Sequence, residues 1–167
     1  MKKLLLFFVV AMTLIGCATS EERAARQAAH MEKVKAAVGN QQYRISLRSM
    51  TPLRSTPISL SGLYYLKVNG NEVMSDMPYL GREDVPHFKT RSEMRFDSRI
   101  ELSGQMENYI LTLVPKEKTG IITFKARNKG EECVFKINIY SDGQARILVK
   151  PESRDEIKYE GYVDPIM

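Results

Sequence analysis

From Gln42 onward, apolar and polar residues alternate with a period of two, and glycine-containing turns cut that alternation into short lengths. Period two puts successive side chains on opposite faces of a strand. A chain patterned this way buries its apolar set by forming a sheet with one face turned inward. Tyr43, Ile45 and Leu47 alternate with Arg44, Ser46 and Arg48. Leu63 to Val68 is rich in Tyr, Leu and Val, and Asn69-Gly70 follows it with Val73 beyond, a strong short-range hairpin signal. Phe96, Ser98, Ile100 and Leu102 alternate with Asp97, Arg99 and Glu101. Ile122, Phe124 and Ala126 form another such set, as do Cys133, Phe135, Ile137 and Ile139. Ala145 to Val149 and Ile157, Tyr159 and Gly161 complete the series.

The turns agree with these strands. Lys116 to Gly120, Asn128-Lys129-Gly130 and Ser141-Asp142-Gly143 separate them at about 10- to 14-residue spacing, with no helical pattern between, which indicates an antiparallel meander. Tyr109 to Val114 is apolar on both faces and predicts a strand covered on both sides. Pro52 and Pro57, with Ser55, Thr56 and Ser59, predict a loop or an edge strand. Ser75 to Arg95, with Pro78, Gly81 and Pro86, reads as an irregular excursion. The expected fold is mainly β: one antiparallel meander sheet of seven or eight strands, curled or flattened-barrel-like, behind one N-terminal α-helix. Phe124 and Ile137 should share one core, with Lys136 on the opposite face.

The helix is expected over residues 23–39. Ala24, Ala28, Met31, Val34 and Val38 make one apolar stripe at helical spacing, and Gly39-Asn40 is a plausible stop. Ser20-Glu21-Glu22 can cap its start, or serve as a short acidic export cue in the tether.

The first seventeen residues concern location. Met1-Lys2-Lys3 is cationic, Leu4 to Met12 is unbroken apolar sequence, and Leu14-Ile15-Gly16-Cys17 closes the stretch. This is the plan of a secretory signal, too short for the roughly 20 residues of a membrane span. Its ending resembles a bacterial lipobox, in which the Cys17 thiol is acylated and the chain is cut just before it. The expected organisation is a lipoprotein signal peptide at 1–16, a tether at 17–22, the helix at 23–39 and a β-rich domain at 40–167. Cleavage leaves about 150 residues, one domain by size. Losing Lys2 and Lys3 takes the formal charge from +5 to +3, far from the balance of a nucleic-acid binder.

Lipidation of Cys17 leaves Cys133 without a disulfide partner, in a context that reads as a small buried hydrophobe. His30 lies in the helical stretch with no second His one turn away, and His87 stands beside Glu83 and Asp84 in the excursion. Neither supplies the ligand set that a metal needs. No Gly-x-Ser-x-Gly elbow, Cys-x-x-Cys pair or Gly-rich phosphate loop occurs, and neither glycine turn carries the spaced carboxylates of a calcium loop. The sequence therefore indicates no catalytic residue, no cofactor and no metal. Eight tyrosines, among them Tyr64-Tyr65, Tyr159 and Tyr162, suit either strands or a binding surface. Arg82, Arg91, Arg95 and Arg99, interleaved with Glu83, Asp84, Glu93 and Asp97, read as a mixed-charge rim.

Several stretches together resemble one family. The lipobox start, Tyr64 to Val68 with its Asn-Gly hairpin, Met77-Pro78-Tyr79-Leu80-Gly81-Arg82, Tyr140 to Val149 and Tyr159-Glu160-Gly161 are similar to domain of unknown function 4251, found in exported proteins of Bacteroides-type bacteria. The similarity spans roughly residues 40 to 163 and departs at Leu80, where the family often has an aromatic. It implies a lipoprotein with a β-rich domain and no assigned activity, so no catalytic residue carries over. The expectation is a non-enzymatic binding or structural domain in the cell envelope. Its anchor would be acylated Cys17 in the outer membrane, on the periplasmic side or the cell surface. An envelope protein or glycan is the expected partner, and nucleic acid is not. Two alternatives are a cup holding a small apolar or glycan ligand, and a hydrolase whose carboxylate pair the fold assembles.

Overall fold

The structure, a computed structural model, describes residues 20–81, 98–114 and 119–166. Among the described residues, one helix, α1 (Ser20–Gly39), precedes eleven strands, all in one antiparallel sheet. These are β1 (Gln42–Pro52), β2 (Ile58–Ser59), β3 (Tyr65–Asn69), β4 (Glu72–Pro78), β5 (Arg99–Ile100) and β6 (Ser103–Gln105). β7 (Glu107–Val114), β8 (Thr119–Asn128), β9 (Glu131–Tyr140), β10 (Gln144–Pro151) and β11 (Ile157–Pro165) follow. Mainly β architecture with one helix is as the alternation requires, but there are eleven strands rather than seven or eight. The additional ones are short. β2, β5 and β6 span two or three residues each, too few to display a period.

The chain divides after Glu32 into two units. In the first, residues 20–30 of α1 are exposed, including Ala24 and Ala28 of the expected apolar stripe. The helix begins at Ser20, three residues before the expected start, with Glu21 and Glu22 in its first turn, where the helix dipole favours acid. In the second unit, Val34, Ala37 and Val38 are buried. None of the described helices is long and apolar enough to cross a membrane.

The strand order is β5-β4-β3-β1-β11-β10-β9-β8-β7, with β2 also pairing β1 and β6 also pairing β4. Two meanders are thus joined by pairing of the first and last strands. Tight turns set the hairpins. Asn69 pairs Glu72 across Gly70-Asn71, and Gly70 has a φ of 60°, the first central position of a II′ turn. Asn128 pairs Glu131 across Lys129 and Gly130, whose φ values of 51° and 94° are those of a I′ turn. The β1–β11 ladder carries a bulge at Leu47/Ser49 opposite Gly161 and Glu160. A Cβ on Gly161 would run into the Ser46 carbonyl, so this close approach depends on glycine.

The inner face is filled with side chains. Tyr43, Tyr79, Tyr159, Phe124, Phe135, Met50, Met77 and a set of Ile and Leu residues are fully buried. Phe124 pairs Phe135 and stacks on it at 4.8 Å between ring centroids, and Ile122 pairs Ile137 beside them. Phe124 and Ile137 are both buried in neighbouring strands, and Lys136 is exposed on the other face. The sheet is not closed into a barrel. Its two ends are instead bridged by Asn128, whose Oδ1 accepts from the Glu101 N–H at 3.1 Å and whose Nδ2 donates to the Arg99 carbonyl at 3.4 Å.

The prediction for Tyr109 to Val114 needs correcting. β7 is not covered on both sides; it is the terminal strand of the sheet. Ile110 is 57% exposed and Leu113 71% exposed. An all-apolar run also arises when a strand lies on a sheet edge, and apolar content alone does not separate the two cases.

Candidate functional site

Three connections converge at the Asn128 end of the sheet: the start of β5, the β8–β9 hairpin and the loop from β10 to β11. They line a polar recess of about 300 Å³ formed by Ser98, Arg99, Asn128, Lys129, Glu131, Ser153 and Arg154. Pro151 ends β10, and the polar run Glu152-Ser153-Arg154-Asp155 has no periodicity to extend it, so the chain turns here.

The centre of the site is the Arg154–Glu131 pair. The Arg154 side chain is 9% exposed and that of Glu131 16%. Arg154 donates to Glu131 Oε2 from Nε at 2.9 Å and from Nη2 at 2.6 Å, a side-on approach in which one carboxylate oxygen accepts two charge-assisted bonds. Ser153 donates to Glu131 Oε1 from its backbone N–H at 3.1 Å and from Oγ at 2.5 Å. Burial by itself would raise the Glu131 pKa, but the hydrogen bonds from Arg154 and Ser153 outweigh it and hold the carboxyl below its usual 4.5. Burial likewise opposes the charge on Arg154, and the Glu131 carboxylate overcomes it.

Beneath this pair lies the Pro78-Tyr79-Leu80-Gly81 stretch. The Arg154 guanidinium stands 4.3 Å from the Tyr79 ring centroid, a cation–π contact on a buried ring. The Tyr79 hydroxyl donates to the Asp155 carbonyl at 2.9 Å, and the Tyr159 hydroxyl donates to the Pro78 carbonyl at 2.9 Å. Gly81 leaves room for the end of the Tyr79 ring, since a Cβ there would collide with it. The motif is therefore a latch that fixes the β4 end to the β10–β11 loop. Around the rim, Arg99 is bound to Asp76 at 2.6 Å and Lys129 to Glu101 at 3.0 Å.

Chemically, the recess offers positive edges of Arg99 and Lys129 and one carboxylate, Glu131, already saturated by four donors. An ionised carboxylate so bound has no proton to give near neutrality and is a weak base. Among the described residues, no group of three or more His, Cys, Asp or Glu side chains is arranged to hold a metal.

Of the residues singled out in the sequence, Arg99 reaches this rim. Arg82, Arg91, Arg95, Glu83, Asp84, Glu93, Asp97 and His87 lie outside the described residues, as do Cys17 and the signal segment. His30 is exposed on α1. Cys133 is buried on β9, and burial, followed by the nearby Glu131 charge, pushes its thiol up to about 11. Tyr43, Tyr79 and Tyr159 belong to the core, whereas Tyr162 is exposed. Sequence reasoning missed Glu131, Ser153 and Arg154, which meet across 22 to 23 residues. The one available signal was a Glu placed directly after the Asn128-Lys129-Gly130 turn.

Comparison with known proteins agrees with this architecture. The family model described as domain of unknown function (DUF4251) matches residues 25–163. The chain belongs to the DUF4251 family. A crystal structure of a DUF4251 family protein from Bacteroides eggerthii DSM 20697 is similar, with a TM-score of 0.64 and 14% sequence identity. The similarity covers 84% of this chain and 91% of that one, and it establishes the fold. No curated protein shows significant similarity to the chain.

Proposed function

We propose that this DUF4251 chain is a lipoprotein of the bacterial envelope, held to the outer membrane through acylated Cys17. On this reading its β domain is a binding or structural module rather than an enzyme. The anchor rests on the Leu14-Ile15-Gly16-Cys17 ending behind a short cationic and apolar leader. Two or three acyl chains, at roughly 0.8 kcal/mol per buried CH₂, hold a protein on a membrane essentially permanently.

The observation that carries the non-enzymatic reading is the state of Glu131. Among the described residues it is the only carboxylate lining the polar recess, and Arg154 and Ser153 consume its acceptor capacity. A hydrolase built on paired carboxylates would need a second one facing it across water. A ligand cup is the weaker reading too, because the inner face is occupied by Tyr43, Phe124, Phe135, Met50 and their neighbours. What remains for recognition is the outside, with an envelope protein or glycan as partner.

Labelling cells with an alkyne-bearing palmitate tests the anchor. The wild-type chain should take up label and enter the detergent phase, and Cys17→Ser should do neither. Equal labelling of the two would sink the proposal.

A further inference from the structure

The two edges of the sheet are protected to different degrees. The outer side of β4 is covered in pieces, by β6 along Glu72–Met74 and by β5 along Met77–Pro78. Those strands are short and carry or adjoin Arg99, Glu101 and Gln105, the usual means of blunting an edge. At the opposite edge, β7 has its charge, Glu107, and its bulge at the start of the strand, and the run from Ile110 to Val114 carries neither. The strand spans eight residues, pairs only with β8 among the described residues, and has no charged side chain from Asn108 to Val114. Both of its faces expose large apolar side chains. Ile110 lies on the outer face opposite Thr123, and Leu113 lies on the inner face opposite Gly120.

We infer that β7 is a homodimerisation edge, pairing antiparallel with β7 of a second copy about a two-fold axis through Thr112. The register follows from the strand itself. A bulge between Glu107 and Ile110, with Asn108 at a φ of 56°, ends the regular ladder on one side. Pro115, which has no N–H to donate, follows Val114 on the other. The regular run is therefore Ile110–Val114, and Thr112 is its midpoint. Residues directly opposite in an antiparallel pair share a face. A two-fold at Thr112 accordingly sets Ile110 against the second copy's Val114 on the outer face, and Leu111 against its Leu113 on the inner face. Thr112 meets its own equivalent, a favourable cross-strand pair. Every pair is apolar or Thr–Thr, and no like charges meet. The same pairing covers Ile110 and Leu113 together, which is why a second copy is the occupant favoured here. The inference does not depend on the lipid anchor.

The test is cysteine cross-linking of the full chain, purified in detergent from whole-cell extract and oxidised with copper phenanthroline. Residues opposite each other lie about 4.5 to 5.5 Å apart between Cα atoms, within disulfide reach. Thr112→Cys should therefore give a covalent dimer. Ile110→Cys should not, because its equivalent lies four residues away along the partner strand, roughly 13 Å. Wild type, with Cys133 buried, supplies the baseline. Sedimentation velocity should give a dimer for wild type and a monomer for Ile110→Lys at an unchanged melting temperature. Equal cross-linking of both cysteine variants, an adduct with a different protein, or a monomeric wild type at every concentration would each overturn the inference.

Discussion

Arg154→Met separates the charge of the latch from its packing, since Met keeps most of the stem but removes the guanidinium. In the folded protein it deletes two hydrogen bonds to the Glu131 carboxylate, at 2.9 and 2.6 Å, along with the contact to the Tyr79 ring. Glu131 is then left mostly buried with only the Ser153 donors. A hydrogen bond to a charged group is worth about 1.5 to 3 kcal/mol, and an orphaned charge adds to the loss. Both groups keep some contact with water, so the expected cost is about 2 to 4 kcal/mol. Glu131→Gln retains an acceptor for Ser153 but sets an amide against the guanidinium, for a loss of about 1.5 to 3 kcal/mol.

In the double variant neither charge is left unpaired. Its loss should fall short of the sum of the singles by about 1 to 3 kcal/mol. Urea denaturation measures all four proteins, and with a slope of about 1 to 3 kcal/mol per molar the single variants should move the midpoint by on the order of 1 M. A pH series gives a second readout. The folded Glu131 pKa lies below its usual 4.5, so its contribution is fully present above that value and is lost as pH falls below it. Glu131→Gln should lack this component of acid destabilisation. Singles within about 0.5 kcal/mol of wild type, or losses that simply add, would refute the latch.

Other outcomes follow from the sheet. Phe124→Ala and Ile137→Ala should each cost about 2 to 5 kcal/mol in chemical denaturation. Lys136→Ala, on the exposed face between them, should stay within about 0.5 kcal/mol, and equal midpoints for all three would contradict the register. Gly161→Ala should lose at least about 1 to 3 kcal/mol, because the new Cβ meets the Ser46 carbonyl and backbone yields less readily than side chain. Gly104→Ala, with open space at its Cβ position, is the matched control, and equal melting temperatures for the two would contradict the close approach at the bulge.

The longer strands were readable because alternation and turn chemistry agreed. β8 and β9 each show inward apolar residues at every second position, and the Asn128-Lys129-Gly130 turn between them is required by two consecutive positive φ angles. The pairing of β1 with β11 was not readable, because it joins Tyr43 to Pro165 and local pattern carries no information across that separation. β5 and β6 were hidden by their length. β7 was misread for a physical reason: its Ile, Leu and Val content resembles that of a central strand, while its bulge and position place it on the edge. The Glu131–Arg154 site was invisible because Glu131 opens β9 while Ser153 and Arg154 lie in the β10–β11 loop, 22 and 23 residues on, and no local pattern links them.

The central claim is that this DUF4251 chain is held to the envelope by lipid on Cys17, and mass spectrometry of its N-terminal tryptic peptide, taken from native membranes, tests it most directly. The account predicts a peptide beginning at Cys17 and ending at Arg23, heavier than its sequence by a diacylglyceryl group with or without an N-acyl chain. An unmodified peptide that runs through Gly16 into Cys17, or one beginning at Cys17 with a free thiol, would contradict it.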